Sequence, residues 1–149
     1  MSHTTYINDV VVTDIGALRA AIEELKNNGV RCDLLENAKP RAYYQSQSGM
    51  GQAPYVLQLK DSRYDVGFYY DESKKGYQAR ADLFAGEVNK QVGDFCSTDD
   101  YKDHDRGSMG KLYKLYAVHA ATRKAIQQGY TVRRINKDDG SVQLRVLAA

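Results

Sequence analysis

Between Tyr55 and Leu83 the chain holds three runs of β-favouring residues separated by two short polar breaks. Tyr55 to Lys60 and Tyr64 to Tyr70 are separated by Asp61-Ser62-Arg63, and the polar turn Asp71 to Gly76 leads into Tyr77 to Leu83. In the third run Tyr77, Ala79, Ala81 and Leu83 alternate with Gln78, Arg80 and Asp82, giving one apolar and one polar face. Strands joined by such short breaks run antiparallel as a meander. A meander with an apolar face must find something to cover it.

The cover comes from two helical patterns. Ile15, Leu18, Ile22 and Leu25 recur at helical spacing from Thr13, a suitable N-cap, to Asn27-Asn28-Gly29, where glycine suits a helix end. Lys111 to about Gln128 is the second, ended by Gly129, and Glu87 to Phe95 is a further short candidate. Tyr6 to Val12 and Val30 to Glu36 read as strands. Tyr130 to Asn136 and Ser141 to Leu147 read as a closing hairpin across Lys137-Asp138-Asp139-Gly140, whose Asp-Gly is a strong turn signal. The order is strand-helix-strand-meander-helix-hairpin. It predicts a single α+β domain over residues 1–149, a mostly antiparallel sheet with two main helices packed on it.

Composition narrows the class of partner. Of 149 residues, 42% are hydrophobic and 27% charged, ordinary for a globular chain. A net charge of +2 is too small to predict binding to a nucleic-acid polymer. No apolar run approaches the roughly 20 residues that cross a bilayer, so no membrane partner is expected. Met1-Ser2-His3-Thr4-Thr5 has neither a basic nor an apolar signal region, and Cys32 and Cys96 fit free thiols, so the expected location is a reducing cytoplasm. Twelve tyrosines against three phenylalanines and no tryptophan suit strands, and equally a surface that grips a partner.

The last third carries the candidate site. At about 100° per residue, Leu112, Leu115, Tyr116, His119, Arg123 and Ile126 share roughly a third of the helix circumference. A histidine and an arginine on an apolar stripe need partners, since an unpaired charge is costly to desolvate. The partner is either an internal carboxylate (Asp65, Asp82 or Glu36 across the sheet) or an anionic ligand. A second, small-residue face, Ala117, Val118, Ala121 and Ala125, could pack on the sheet instead and turn His119 and Arg123 into a cleft or subunit interface. Residues 37–54 form a long aperiodic loop with a basic-aromatic cluster of Lys39, Arg41, Tyr43 and Tyr44. Arg133, Arg134, Lys137 and Arg145 make the hairpin basic. Arg133 and Arg134 face opposite sides, so a charge-guarded edge strand competes with the reading that one of them joins an anion site.

The expected ligand site therefore comprises His119, Arg123, Tyr116, Arg41, Tyr43, Tyr44, Arg133 and Arg134 around a small anionic, nucleotide-like molecule, arginine pairing with it and tyrosine stacking on it. A second subunit could complete the pocket, so a homo-oligomer is expected. Asp99, Asp100, Asp103, His104 and Asp105 crowd together, yet they lack the spacing of a calcium loop and read as solvated charge, so no metal is expected. There is no P-loop, dinucleotide fingerprint or nucleophile elbow; Gly49-Met50-Gly51 is too little for a phosphate cradle, and no cofactor is predicted. His3, His104 and His119 lack metal-ligand spacing with one another.

Several segments taken together resemble a known family. They are Met1-Ser2-His3 before a strand and amphipathic helix, Tyr64-Asp65-Val66-Gly67-Phe68 with Ala81-Asp82-Leu83, and Tyr116-Ala117-Val118-His119 followed by Gln128-Gly129-Tyr130 and Asp139-Gly140-Ser141-Val142-Gln143-Leu144. In order and spacing these resemble the conserved hypothetical chloroplast reading frame thirty-five family, a domain of unknown function in plastids, cyanobacteria and some phages. The likeness is loose between Pro40 and Pro54 and between Cys96 and Met109, and the polar insertion before the third block departs from the plastid pattern. The resemblance implies no established activity. It implies an accessory role, since members often lie near a gene for an AAA+ ATPase. The sequence thus predicts a non-enzymatic protein that sequesters a small anionic ligand; in a phage, this would be a host immune signalling nucleotide captured in the host cytoplasm. The alternative is an adaptor or scaffold for a protein such as that ATPase. A metal-dependent phosphodiesterase is a third reading, without a ligand cluster to support it.

Overall fold

The computed structural model describes residues 4–42, 51–93 and 109–148. Its elements are β1 (Thr4–Val12), α1 (Ile15–Asn27), β2 (Cys32–Ala38), β3 (Ala53–Leu59), β4 (Val66–Asp71), β5 (Gly76–Asp82), the single turn α2 (Asn89–Val92), α3 (Gly110–Gln127), β6 (Tyr130–Asn136) and β7 (Val142–Ala148). The α+β class and element order agree with the sequence reading. The meander lies inside a five-stranded sheet of order β1-β5-β4-β3-β2, with every neighbouring pair antiparallel. Four successive reversals leave β1 and β2 pointing the same way on opposite edges, and α1 carries the chain between them.

One sheet face makes the core. Ala17, Leu18, Ala21, Ile22 and Leu25 of α1 bury against Leu57, Leu59, Val66, Phe68, Ala79 and Ala81, and α3 adds Leu112, Leu115 and Tyr116. Each such large side chain contributes roughly 1.5–3 kcal/mol by leaving water. The N-cap of α1 is Asp14 rather than Thr13: its carboxylate accepts from the Ala17 amide at 3.1 Å. At the other end Gly29 takes φ +97°, and the Val30 amide reaches back to the Leu25 carbonyl at 3.0 Å. Of the candidate over Glu87 to Phe95, the described part forms α2, preceded by a 3-10 turn at Phe84–Gly86, and residues 94–95 lie outside the described residues.

Two expectations about α3 need correction. Its apolar stripe does not run through Ile126, which is 57% exposed. The small-residue face does not pack on the sheet either, for Ala117 and Ala121 are exposed. Ala125 is buried, on the stripe shared with Lys114 and Val118.

The closing hairpin is a separate sheet. Among the described residues β6 and β7 pair only with each other, in a register that sets Arg133 opposite Arg145 and Val132 opposite Val146. An isolated two-stranded ribbon is marginal in water, so it depends on what it leans on. Lys114 Nζ donates to the Gly140 carbonyl in the hairpin turn, and Arg134 pairs with Glu24 of α1. Val132, Val142 and Leu144, on Arg134's side by alternation, are half-buried. Among the described residues no helix is long and apolar enough to cross a membrane.

Candidate functional site

His119 and Arg123 of α3 meet carboxylates of α1 and its N-cap. Arg123 Nε donates to Asp14 Oδ2 at 2.8 Å. The pair stays at the surface, with the arginine side chain 46% exposed. Partial burial pushes the Asp14 carboxyl up, yet Arg123 and the Ala17 amide outweigh it and hold the group below its usual range. Gly16 makes room for this pair: a Cβ there would stand 2.4 Å from Arg123 Nη2. Tyr116 is buried beside it, and its hydroxyl oxygen accepts from the Thr13 and Asp14 amides at 2.9 and 3.2 Å. The tyrosine ties α3 to the first turn of α1, with its polar end satisfied by backbone.

One carboxylate organises the second cluster. Glu24 accepts from Arg134 Nη1 and Nη2 at 2.6 and 2.9 Å and from His119 Nε2 at 3.0 Å. A carboxylate only accepts, so Nε2 of His119 carries the hydrogen in that contact. The Arg134 guanidinium, against the effect of burial and with help from His119, holds the Glu24 carboxyl below its ordinary value. Arg134 Nε is also used, donating to Asn136 Oδ1 at 2.9 Å. Three elements (α1, α3 and β6) converge on this one side chain.

Arg41 belongs to a different construction. Its backbone amide and Nε both donate to Asp65 Oδ2 at 2.9 Å, and Nη2 donates to Asp65 Oδ1 and the Leu59 carbonyl, both at 2.7 Å. Asp65 is 3% exposed and also accepts from the Leu59 amide at 3.2 Å. Its carboxylate raises the Arg41 pKa. Pro40, beside it, crowds Gly67, and alternation along β4 puts Gly67 on the side away from Phe68 and the helices. The sheet therefore separates Arg41 from the α3 residues.

The eight expected site residues fall into groups. Tyr116 and Arg123 meet at Asp14, and His119 and Arg134 meet at Glu24, so the structure brings together two pairs. Arg41 is elsewhere, and Tyr43 and Tyr44 lie outside the described residues, as do the acidic cluster from Asp99 to Asp105, His3, His104, Cys96 and most of the Gly49–Gly51 stretch. The internal carboxylates are Asp14 and Glu24 for α3 and β6, not the Asp65, Asp82 or Glu36 anticipated across the sheet. Arg133 stands alone: among the described residues neither it nor Arg145 has a hydrogen-bond or ion-pair partner, and both are exposed. Arg145 was visible in sequence as a hairpin cation. Its pairing opposite Arg133 follows from counting back from the Asp139-Gly140 turn.

Two open hollows adjoin α3. One, of about 440 Å³, is lined by Thr13, Asp14, Ala120, Ala121, Lys124 and Gln127. The other, about 550 Å³, lies between α3 and the hairpin turn, against Lys114, Val118, Asp139 and Ser141. Among the described residues no three His, Cys, Asp or Glu side chains gather as metal ligands would. What the surface offers instead is apolar area. Of the seven exposed large hydrophobic side chains among the described residues, Ile126, Tyr130, Val146 and Leu147 belong to the end of α3 and the hairpin. No family model matches this chain, and no curated protein or solved structure matches it either.

Proposed function

We propose that this chain is a non-enzymatic adaptor that docks a protein partner through the β6–β7 hairpin. The observation that carries this reading is the contrast between spent and unspent groups. His119, Arg123, Arg134 and Arg41 are engaged by internal carboxylates, whereas Arg133, Arg145 and a cluster of exposed aliphatic and aromatic side chains share the hairpin and the helix end before it. Exposed apolar side chains beside unpaired charge, gathered on one element, mark a candidate interaction site. A hairpin outside the main sheet also offers unpaired strand edges. The partner suggested by the family resemblance, an AAA+ ATPase, is the first to try. A reducing cytoplasm suits the reading, since Cys32 is a buried free thiol.

The test is a pull-down from native cells with the tagged full chain, run beside an Arg133→Glu/Arg145→Glu variant. The adaptor reading expects a stoichiometric protein partner with the wild type and its loss with the variant. Equal recovery by both would remove the hairpin from the argument.

A second reading keeps the anionic small molecule, in the hollow lined by Thr13, Asp14 and Lys124. Lys124 has no carboxylate partner among the described residues, and its ammonium could hold a phosphate at that mouth. Native mass spectrometry of the freshly purified chain separates the two. A retained small mass that disappears in Lys124→Ala supports the sequestering protein over the adaptor.

A further inference from the structure

We infer that the outward face of the hairpin binds an extended acidic segment of a partner protein, with Arg133 and Arg145 as a paired clamp; this rests on the adaptor reading above. The register sets these two arginines directly opposite each other. Side chains so placed across an antiparallel pair have Cβ atoms about 5 Å apart, and like charges there are unfavourable. Elsewhere among the described residues exposed arginines have carboxylate neighbours: Arg19 has Glu36, Arg31 has Asp61, Arg63 has Glu87. The hairpin pair has none among the described residues, so only water and salt screen its mutual repulsion, and a carboxylate brought by a partner would relieve it further.

The neighbours of the pair select the kind of anion. On the same face, by alternation, Leu147 lies one step toward the open end and Ile135 one step toward the turn. Leu147 is 55% exposed, and Thr131 and Gln143 stand opposite these two aliphatic residues. A polynucleotide calls for a longer row of cations without aliphatic interruptions. An extended peptide matches better. Its alternate side chains repeat at about 7 Å on one face, so carboxylates can reach the two guanidinium groups while aliphatic side chains meet Leu147 and Ile135. Its backbone can also pair with an open edge of β6 or β7. A second copy of this chain docking face to face through the same surface is disfavoured, because two-fold pairing would gather four arginines.

A charge-guarded edge is the competing explanation. Guarding cations keep other strands away, and they do so best without exposed apolar neighbours. Here Leu147 shares the arginine face and Val146 and Tyr130 lie bare on the other, which guarding does not explain.

The experiment uses the full chain and a blocked extended peptide of about eight residues that carries both glutamate and valine at the alternate positions of one face, with serine between them, a length that matches one strand of the hairpin. Binding is followed by amide chemical shifts and by fluorescence anisotropy at low salt. The expected result is saturable binding with shifts confined to β6 and β7, weakened about ten-fold by Arg133→Gln/Arg145→Gln. A charge-matched control, Lys75→Gln/Lys90→Gln, leaves it unchanged, and the peptide with glutamine for glutamate does not bind. Equal loss in both double variants, or binding of a single-stranded oligonucleotide but not the peptide, overturns the proposal. Absence of peptide binding while the hairpin variant still abolishes partner capture overturns the acidic-segment inference alone. If capture is also insensitive to the variant, the adaptor reading falls with it.

Discussion

Replacing Glu24 by glutamine removes one charge from a side chain that three elements share, and the hairpin should feel it most. Glu24 holds Arg134 through two hydrogen bonds and His119 through a third. At a separation of about 4 Å and an effective dielectric near 20, the gross attraction is about 4 kcal/mol. Much of that is offset, because both groups give up water and remain partly wet: the carboxylate is 22% exposed and Arg134 is 30% exposed. A net loss of about 1–2 kcal/mol is expected, equivalent to a 5–30-fold shift toward the undocked hairpin. Native-state hydrogen exchange reads this directly: amides of β6 and β7 should exchange about that much faster in Glu24→Gln, while those of β3, β4 and β5 stay unchanged. The pH dependence must agree in sign. The folded-state pKa of Glu24 is depressed, so its contribution is present above the unfolded value near 4.5 and is lost as pH falls through the folded value. Wild-type hairpin protection should therefore fall on acidification below that point and merge with the variant's. If core strands lose protection equally, or if the hairpin does not respond, Glu24 is not the latch and the reasoning fails.

The other contacts make distinct predictions. Tyr116→Phe leaves two backbone amides at Thr13 and Asp14 without their acceptor, which should cost about 1–2 kcal/mol and lower Tm by about 2–8 °C in calorimetry. Arg41→Met strips two of the four hydrogen bonds, and the charged partner, from an almost fully buried Asp65 and should cost about 3–5 kcal/mol in urea unfolding; Arg41→Met/Asp65→Leu should recover part of it, since two backbone amides then lose their acceptor. Gly16→Ala should push the Arg123 guanidinium off Asp14. Since that pair is exposed and alanine favours helix, net stability should change by less than about 1 kcal/mol, while the Asp14–Arg123 coupling in a double-mutant cycle vanishes.

The fold was legible because its signals are local. The Asp-Gly turn, the alternation from Tyr77 to Leu83 and the spacing from Ile15 to Leu25 each act over a few residues, and the structure has all three elements. The charge pairing was not legible, because Asp14 and Glu24 become neighbours of Arg123 and His119 only through the packing of α1 on α3. The carboxylates that meet α3 sit on α1 and at its N-cap, not on the sheet. Arg41 and Asp65 were both in view, but nothing local links residues 24 apart. Arg133 with Arg145 is the exception: the turn fixes their register, so the pair could have been read from sequence.

These pairings decide which cations remain for a partner. A helix that buries Leu112, Leu115 and Tyr116 beside α1 also carries His119 and Arg123 to that interface, where Glu24 of α1 and its N-cap Asp14 meet them. Arg134, alternating with Arg133, is turned inward by the same hairpin geometry that turns Arg133 outward. The strand thus divides its charge between two tasks, one arginine fastening the ribbon to α1 and its neighbour left for something beyond the chain. Loosening the first should weaken binding at the second, because a detached ribbon loses the fixed face that holds Arg133 and Arg145 in register. Glu24→Gln should therefore weaken the acidic peptide about as much as it loosens the hairpin, without touching any group that contacts it.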